Sequence, residues 1–199
     1  MINNNIKFNL NLKFIISIFF IISFLFLLYE YKKHHDKNTL LEMSDNYYNL
    51  IKSMEYNDIT STKLYALKLY QNKETIYYDI SCLFLSKVYI KKQKYKKAKY
   101  YLKNILRKKN PHFYDIANIR LINILIYEKK YNKALNKLNK YNCNNPYNCI
   151  HEELKGDIYY ILNDEIKTNI AYMKAIKNTK NPNHKYYLEL KLKNLKTIK

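Results

Sequence analysis

One glycine, three prolines, three cysteines and no tryptophan are all that this chain of 199 residues holds of those four types. Each shortage excludes something. A phosphate-cradling loop or a dinucleotide fingerprint needs several glycines for tight turns and close backbone approach, so neither is present. Cys82, Cys143 and Cys149 are too few and too irregularly spaced for a disulfide framework or a four-ligand zinc site. Cys143 and Cys149 flank a loop at Pro146; an oxidising compartment makes them a disulfide pair and a reducing one leaves two thiols. Arginine is scarce as well, only Arg107 and Arg120 among 36 basic residues, set against 16 acidic ones for a formal charge of +20. Taken alone that charge points to nucleic acid or anionic lipid. The excess is almost all lysine in a chain crowded with Asn, Ile, Tyr and Phe, which is what strong AT bias in a coding sequence produces, and a nucleic-acid partner is not expected.

The five histidines are equally uninformative about chemistry. His34 and His35 are adjacent, while His112, His151 and His184 sit near helix starts, and none has the i, i+4 partner of a zinc hydrolase. All five read as surface residues. Glu152 and Glu153 beside His151 fall in an early helical turn, where negative charge favours the helix dipole. Cys82 stands on an apolar face and reads as core packing rather than as a nucleophile. No catalytic residue, cofactor or metal is expected.

What the chain does have is one long apolar run and helical periodicity. From Phe14 to Tyr29 the sequence FIISIFFIISFLFLLY carries no charge. As a helix it rises about 24 Å against a hydrocarbon core of about 30 Å, with Lys13, Tyr29 and Tyr31 able to make up the ends. Insertion is favoured by on the order of 4 to 7 kcal/mol on a translocon scale. A cleaved signal peptide requires small residues after the apolar core, and YEYKKHHDK supplies none. The division expected is a short N-terminus over 1–13, a transmembrane helix over 14–31 and a folded domain over 32–199. Flanking charge leaves orientation open, since Lys7, Lys13 and the terminal amine face Lys32, Lys33 and Lys37.

Beyond Lys37 apolar residues recur three and four apart and no strand alternation is sustained, so the domain reads as all-α. Thr39 to Met54 forms one helix ending at Asn57-Asp58, and TKLYALKLY follows. Helices then run from Glu74 to about Lys108 with a break at Lys92 to Lys94, from Tyr114 to about Tyr141, from Ile150 to Leu162, from Glu165 to Lys177 and from His184 to Leu195. KYKKAKYYLKNIL from Lys94 resembles KYNKALNKLNKYN from Lys130, so that Tyr95 and Ala98 recur as Tyr131 and Ala134, 36 residues on. Thr168 is the next small residue in register.

Three windows fit a tetratricopeptide pattern. The first holds Leu85, Ser86, Tyr89, Ala98, Leu102 and Pro111. The second holds Leu121, Ala134, Leu138 and Pro146, with Ile122 and Leu125 where Gly and Tyr are usual. The third holds Gly156, Tyr159, Thr168, Tyr172, Ala175 and Pro182. Small residues are needed where the two helices of a hairpin cross, and Gly156, costly inside a helix, implies a close contact there. Three unrelated amphipathic hairpins are the competing description.

The basic run from Lys91, KKQKYKKAKYYLKNILRKK, interleaves lysine and tyrosine, but Tyr95, Ala98, Leu102 and Ile105 form a buried stripe and leave a lysine-coated solvent face. First helices of stacked hairpins line a groove, and the repeat register points Lys87, Asn123, Asp157 and Tyr160 into it. These four are the candidate partner-binding residues.

The order and length of these parts resemble the YfgM family, tetratricopeptide-like ancillary subunits of the bacterial SecYEG translocon. The likeness is clearest in ANIRLINILIYEKKYNKALNKLNKY, ELKGDIYYILNDEIKTNIAYMKAIK and the closing LELKLKNL. It implies a single-pass inner-membrane protein with its N-terminus cytoplasmic and its repeats periplasmic. It further implies association with SecYEG and the chaperone PpiD, as an adaptor that helps newly translocated client proteins onward, and it carries over no catalytic residue. A membrane-tethered repeat scaffold for another envelope complex is the alternative. The fold class expected is all-α, an N-terminal transmembrane helix followed by a tetratricopeptide-like α-hairpin solenoid.

Overall fold

A computed structural model describes residues 2–140 and 147–197, with side chains from 17 to 140 and from 147 to 195. Among the described residues there are helices and no strand. The chain divides into two compact units, residues 1–69 and 70–199.

The first unit holds α1 (Ile2–Glu55) and α2 (Ile59–Tyr70), the latter up to Leu69. At 54 residues α1 runs about 81 Å. The sequence suggested two elements here, an anchor and a separate helix from Thr39; one uninterrupted helix spans both. YEYKKHHDKN contains neither Gly nor Pro to stop it, and neighbours one turn apart support it. Tyr31 stacks on His35 with ring centroids 6.4 Å apart, Thr39 Oγ1 donates to the His35 carbonyl at 2.9 Å, and Lys33 lies 3.7 Å from Glu30.

The expected span over 14–31 begins at side chains outside the described residues, and among the described residues no helix is long and apolar enough to cross a membrane. Further along α1, Met43, Asn46, Leu50 and Ser53 are buried at helical spacing, as are Thr62, Ala66 and Leu69 of α2. Ser53 Oγ meets Thr62 Oγ1 at 3.0 Å. Asp58 caps α2 by accepting from the amides of Thr60 and Ser61.

The second unit contains α3 (Ile76–Lys91), α4 (Tyr95–Lys108), α5 (Pro111–Tyr127), α6 (Tyr131–Lys140), α7 (Asn148–Ile161), α8 (Glu165–Asn178) and α9 (Pro182–Thr197). Each helix packs on the next in chain order, giving a solenoid-like array of three hairpins and a closing helix. The segment from Tyr114 to about Tyr141 is the second pair of helices, α5 and α6, and the chain turns back between them at Lys129.

The turns share one geometry. Asn57, Gln93, Lys129 and Asn163 all adopt left-handed backbone, with φ of 57, 54, 57 and 58°. In each, the left-handed residue's amide donates to the carbonyl three residues back and the next amide to the carbonyl five back from itself, as in Asn57 to Met54 and Asp58 to Ser53. That double bond ends a helix while satisfying its last carbonyls. The turns are spaced 36, 36 and 34 residues apart, so the repeat begins one hairpin earlier than the three sequence windows show. Five residues after each turn stand Thr62, Ala98, Ala134 and Thr168, all at most 5 % exposed. Small side chains at these positions let the paired helices cross closely.

First and second helices are buried differently. α3 hides residues all around its circumference, from Tyr78 to Tyr89, whereas α4 hides only Ala98, Leu102 and Ile105 and turns Lys96, Lys97 and Lys103 to solvent. A first helix is covered by its own partner and by the neighbouring hairpin; a second helix keeps an outer face. Between hairpins, Tyr95 stacks on Tyr127 at 6.1 Å and Lys99 pairs with Glu128 at 2.5 Å. Arg120 Nη1 donates to the Leu83 carbonyl at 2.5 Å. Cys82 is fully buried and its thiol is pushed up to about 12 by that burial, in keeping with core packing. Cys149 is buried in α7, and its proposed partner Cys143 lies outside the described residues.

Candidate interaction site

The four residues marked by register are distributed along the second unit. Lys87 is exposed on α3 and Asn123 half-exposed on α5. Asp157 and Tyr160 are brought together: both line a cavity of about 320 Å³ among α7, α8 and α9, with Ile161, Tyr172, Lys191 and Leu195.

The wall of this cavity is built from the close approach of α7 and α8. A Cβ on Gly156 would stand 2.5 Å from Tyr172 Cδ1 and closer still to Cε1, so the ring lies flat against the glycine backbone. That is the close contact the sequence implied. From there the Tyr172 hydroxyl reaches Asp157 and donates to Oδ1 at 2.7 Å. Burial and the Asp157 carboxylate both hold the phenol in its neutral form, pushing its pKa up.

α9 closes the site with charge. Lys191 Nζ donates to Asp157 at 2.7 Å and to Glu153 at 2.8 Å, and His184 Nε2 donates to Glu153 at 2.7 Å. Burial works against the ionised Glu153, but the hydrogen bonds from Lys191 and His184 outweigh it and hold the carboxyl below its usual value. Burial likewise opposes the Lys191 ammonium, and its two carboxylate partners raise its pKa nonetheless. Leu188 is fully buried beneath this network, in a cluster with Tyr172 and Ala175.

Several expectations need correction. His151 is not a surface residue; it is 2 % exposed, because α7 starts at Asn148 and carries it inward, and burial lowers its pKa. His184 is a hydrogen-bond partner of Glu153, with a side chain 23 % exposed. Glu152 and Glu153 lie beyond the first turn of α7, which has no acidic residue; Glu152 pairs with Lys155 at 2.7 Å and Glu153 with α9. Sequence reasoning missed Glu153, His184 and Lys191, which meet only across 31 to 38 positions, and the bond from Tyr172 to Asp157, 15 positions apart. For His151 a signal existed, since the repeat register aligns it with the inward small residues Ser81 and Ala117.

Chemically the arrangement offers a half-open apolar pocket with a neutral phenol and a fully paired set of charges. It is suited to binding. Among the described residues no group of three or more His, Cys, Asp or Glu comes together as a metal site. A family model described as a tetratricopeptide repeat-like domain matches residues 8–197. No curated protein and no solved structure matches the chain.

Proposed function

This chain belongs to the tetratricopeptide repeat-like domain family, and from that premise we propose a non-catalytic adaptor: a protein-interaction scaffold held at a membrane by α1. Repeat hairpins of this kind present extended binding surfaces. The observation that carries the tether is the state of α1 between Ile18 and Leu28. Ten large apolar side chains there are 41 to 68 % exposed with no protein to cover them. Leaving such side chains in water costs about 1.5–3 kcal/mol each relative to full burial, and a bilayer supplies the missing cover. The described part of the run, from Ser17 to Tyr29, rises only about 20 Å against a core of about 30 Å, and the proposed span is completed by Phe14 to Ile16.

The finer reading is that of a translocon adaptor in the bacterial inner membrane, N-terminus inward and repeats in the periplasm, working beside SecYEG and PpiD on newly translocated proteins. Its support is the layout of one apolar helix leading into repeats along the chain. Asp157 and Tyr160 are the proposed groove contacts, with Lys87 and Asn123 at the matching positions of α3 and α5. Crosslinking from a photoreactive residue at Tyr160, in the native membrane, tests this: adducts with SecY or PpiD are expected, and their absence removes the translocon from the proposal. Topology is read separately from a Lys133→Cys label on the exposed face of α6, since Cys149 is too buried to report. Labelling from outside spheroplasts is expected; protection places the repeats in the cytoplasm.

A further inference from the structure

The three second helices of the second unit provide an internal comparison. Counting from the left-handed residue of each turn, the outward positions three, seven and ten residues on are Lys96, Tyr100 and Lys103 in α4, and Asn132, Asn136 and Asn139 in α6. Five of these six are strongly polar, as a solvent-facing surface requires. In α8 the same positions are Ile166, Ile170 and Met173, exposed by 75, 49 and 63 %. The helix does not need them for its own packing. Thr168, Ala171, Tyr172 and Ala175 already bury its inner face against α7 and α9.

The identity of what covers this stripe follows from its width and its flanks. One apolar residue per turn over two turns is a narrow seam, the spacing that an i, i+4, i+7 stripe of another helix fills. A lipid surface asks for a broader face of bulky or aromatic side chains, and the stripe has no aromatic residue. Along its C-terminal half it is bordered by Lys174 and Lys177, both exposed, on a chain whose formal charge is +20. A second copy would bring the same cations and the same excess charge to the contact, which opposes self-association. A partner carrying carboxylates is drawn to it.

We propose that the outer face of α8, through Ile166, Ile170 and Met173, is a second docking surface that takes an acidic amphipathic helix of another protein. It is separate from the cavity among α7, α8 and α9, whose lining includes none of the three, and it stands whether or not that cavity binds.

The test uses the full chain in neutral-lipid nanodiscs and a synthetic helical peptide with leucines at i, i+4 and i+7 flanked by glutamates, followed by fluorescence anisotropy. Micromolar binding is expected, with at least a tenfold loss in the triple variant Ile166→Gln, Ile170→Gln, Met173→Gln and no binding by a peptide with lysine for glutamate. The changes are at exposed sites and glutamine is a good helix former, so an unchanged helical melting curve accompanies the loss. Tyr160→Ala leaves the peptide affinity unchanged. Absence of peptide binding, or binding indifferent to the three glutamines, overturns the proposal. So does a dimer in sedimentation that the glutamines dissociate, or binding to anionic vesicles that they abolish, since each of those assigns the stripe another occupant.

Discussion

Gly156 and Tyr172 are the tightest constraint at the scale of single residues. Gly156→Ala gains about 1 kcal/mol of helix propensity, but it drives a methyl into a ring anchored through its hydroxyl to Asp157, an overpacking that costs about 1–3 kcal/mol. Net destabilisation is expected, read as a lower urea midpoint, and Tyr172→Leu in the same background should recover part of it because the two sites are coupled. Glu153 gives the pH dependence. Its folded pKa is depressed, so the unfolded chain binds the proton more readily, and its contribution to stability is complete above the ordinary value of 4.5 and is lost as pH falls through the depressed one. Glu153→Gln should therefore flatten the fall in stability below pH 4.5 in denaturant melts; an unchanged slope would assign that fall to other carboxylates. Sequence alone reached Gly156, Asp157 and Tyr160 because each follows from repeat register. It could not reach Glu153 with Lys191 and His184, since ion pairing across separate helices leaves no local period to read.

Among elements, the hairpin turns are where local chemistry and required geometry disagree most. Four left-handed turn positions are filled by Asn57, Gln93, Lys129 and Asn163, in a chain that places its single glycine elsewhere. Left-handed backbone costs an L-residue with a long side chain about 1–2 kcal/mol, and asparagine less. Lys129→Gly is accordingly expected to raise the thermal midpoint, with a smaller gain for Asn163→Gly; equal or negative shifts would mean the turns are held by more than their dihedral preference. The alternation of hairpins was legible from Tyr95, Ala98, Tyr131 and Ala134. The first hairpin was legible as two helices meeting at Asn57-Asp58 but not as a copy of the repeat, because Ile59, Thr62 and Ala66 replace the tyrosine, alanine and leucine of the later copies, and its first helix is continuous with the apolar run. Its readable trace was Asn57-Asp58, a turn 36 residues before the next. Helix ends differ from expectation by a few residues where caps decide them, as with Asn110, whose side chain accepts from the His112 amide and sets Pro111 as the first helical residue of α5.

For the molecule as a whole, the proposed membrane attachment rests on one segment of α1. Lysine at the centre of a membrane helix costs about 2.5–3.5 kcal/mol, so Ile21→Lys with Leu25→Lys cancels an insertion energy on the order of 4 to 7 kcal/mol. The wild-type chain should stay with membranes through carbonate extraction and the double variant should be released; extraction of the wild type would end the tether reading. The uninterrupted course of α1 also has an angular consequence. A helix advances about 100° per residue, so the side of the apolar run that meets its surroundings is geared to the side on which Met43, Asn46 and Leu50 are buried and from which Ser53 reaches Thr62 of α2. Adding one alanine between Leu28 and Met43 would turn the first hairpin by about 100° about the helix axis, and adding seven would return it to within about 20° of its starting azimuth. The shaft thereby fixes not only how far the first hairpin stands from the apolar run but which way it faces.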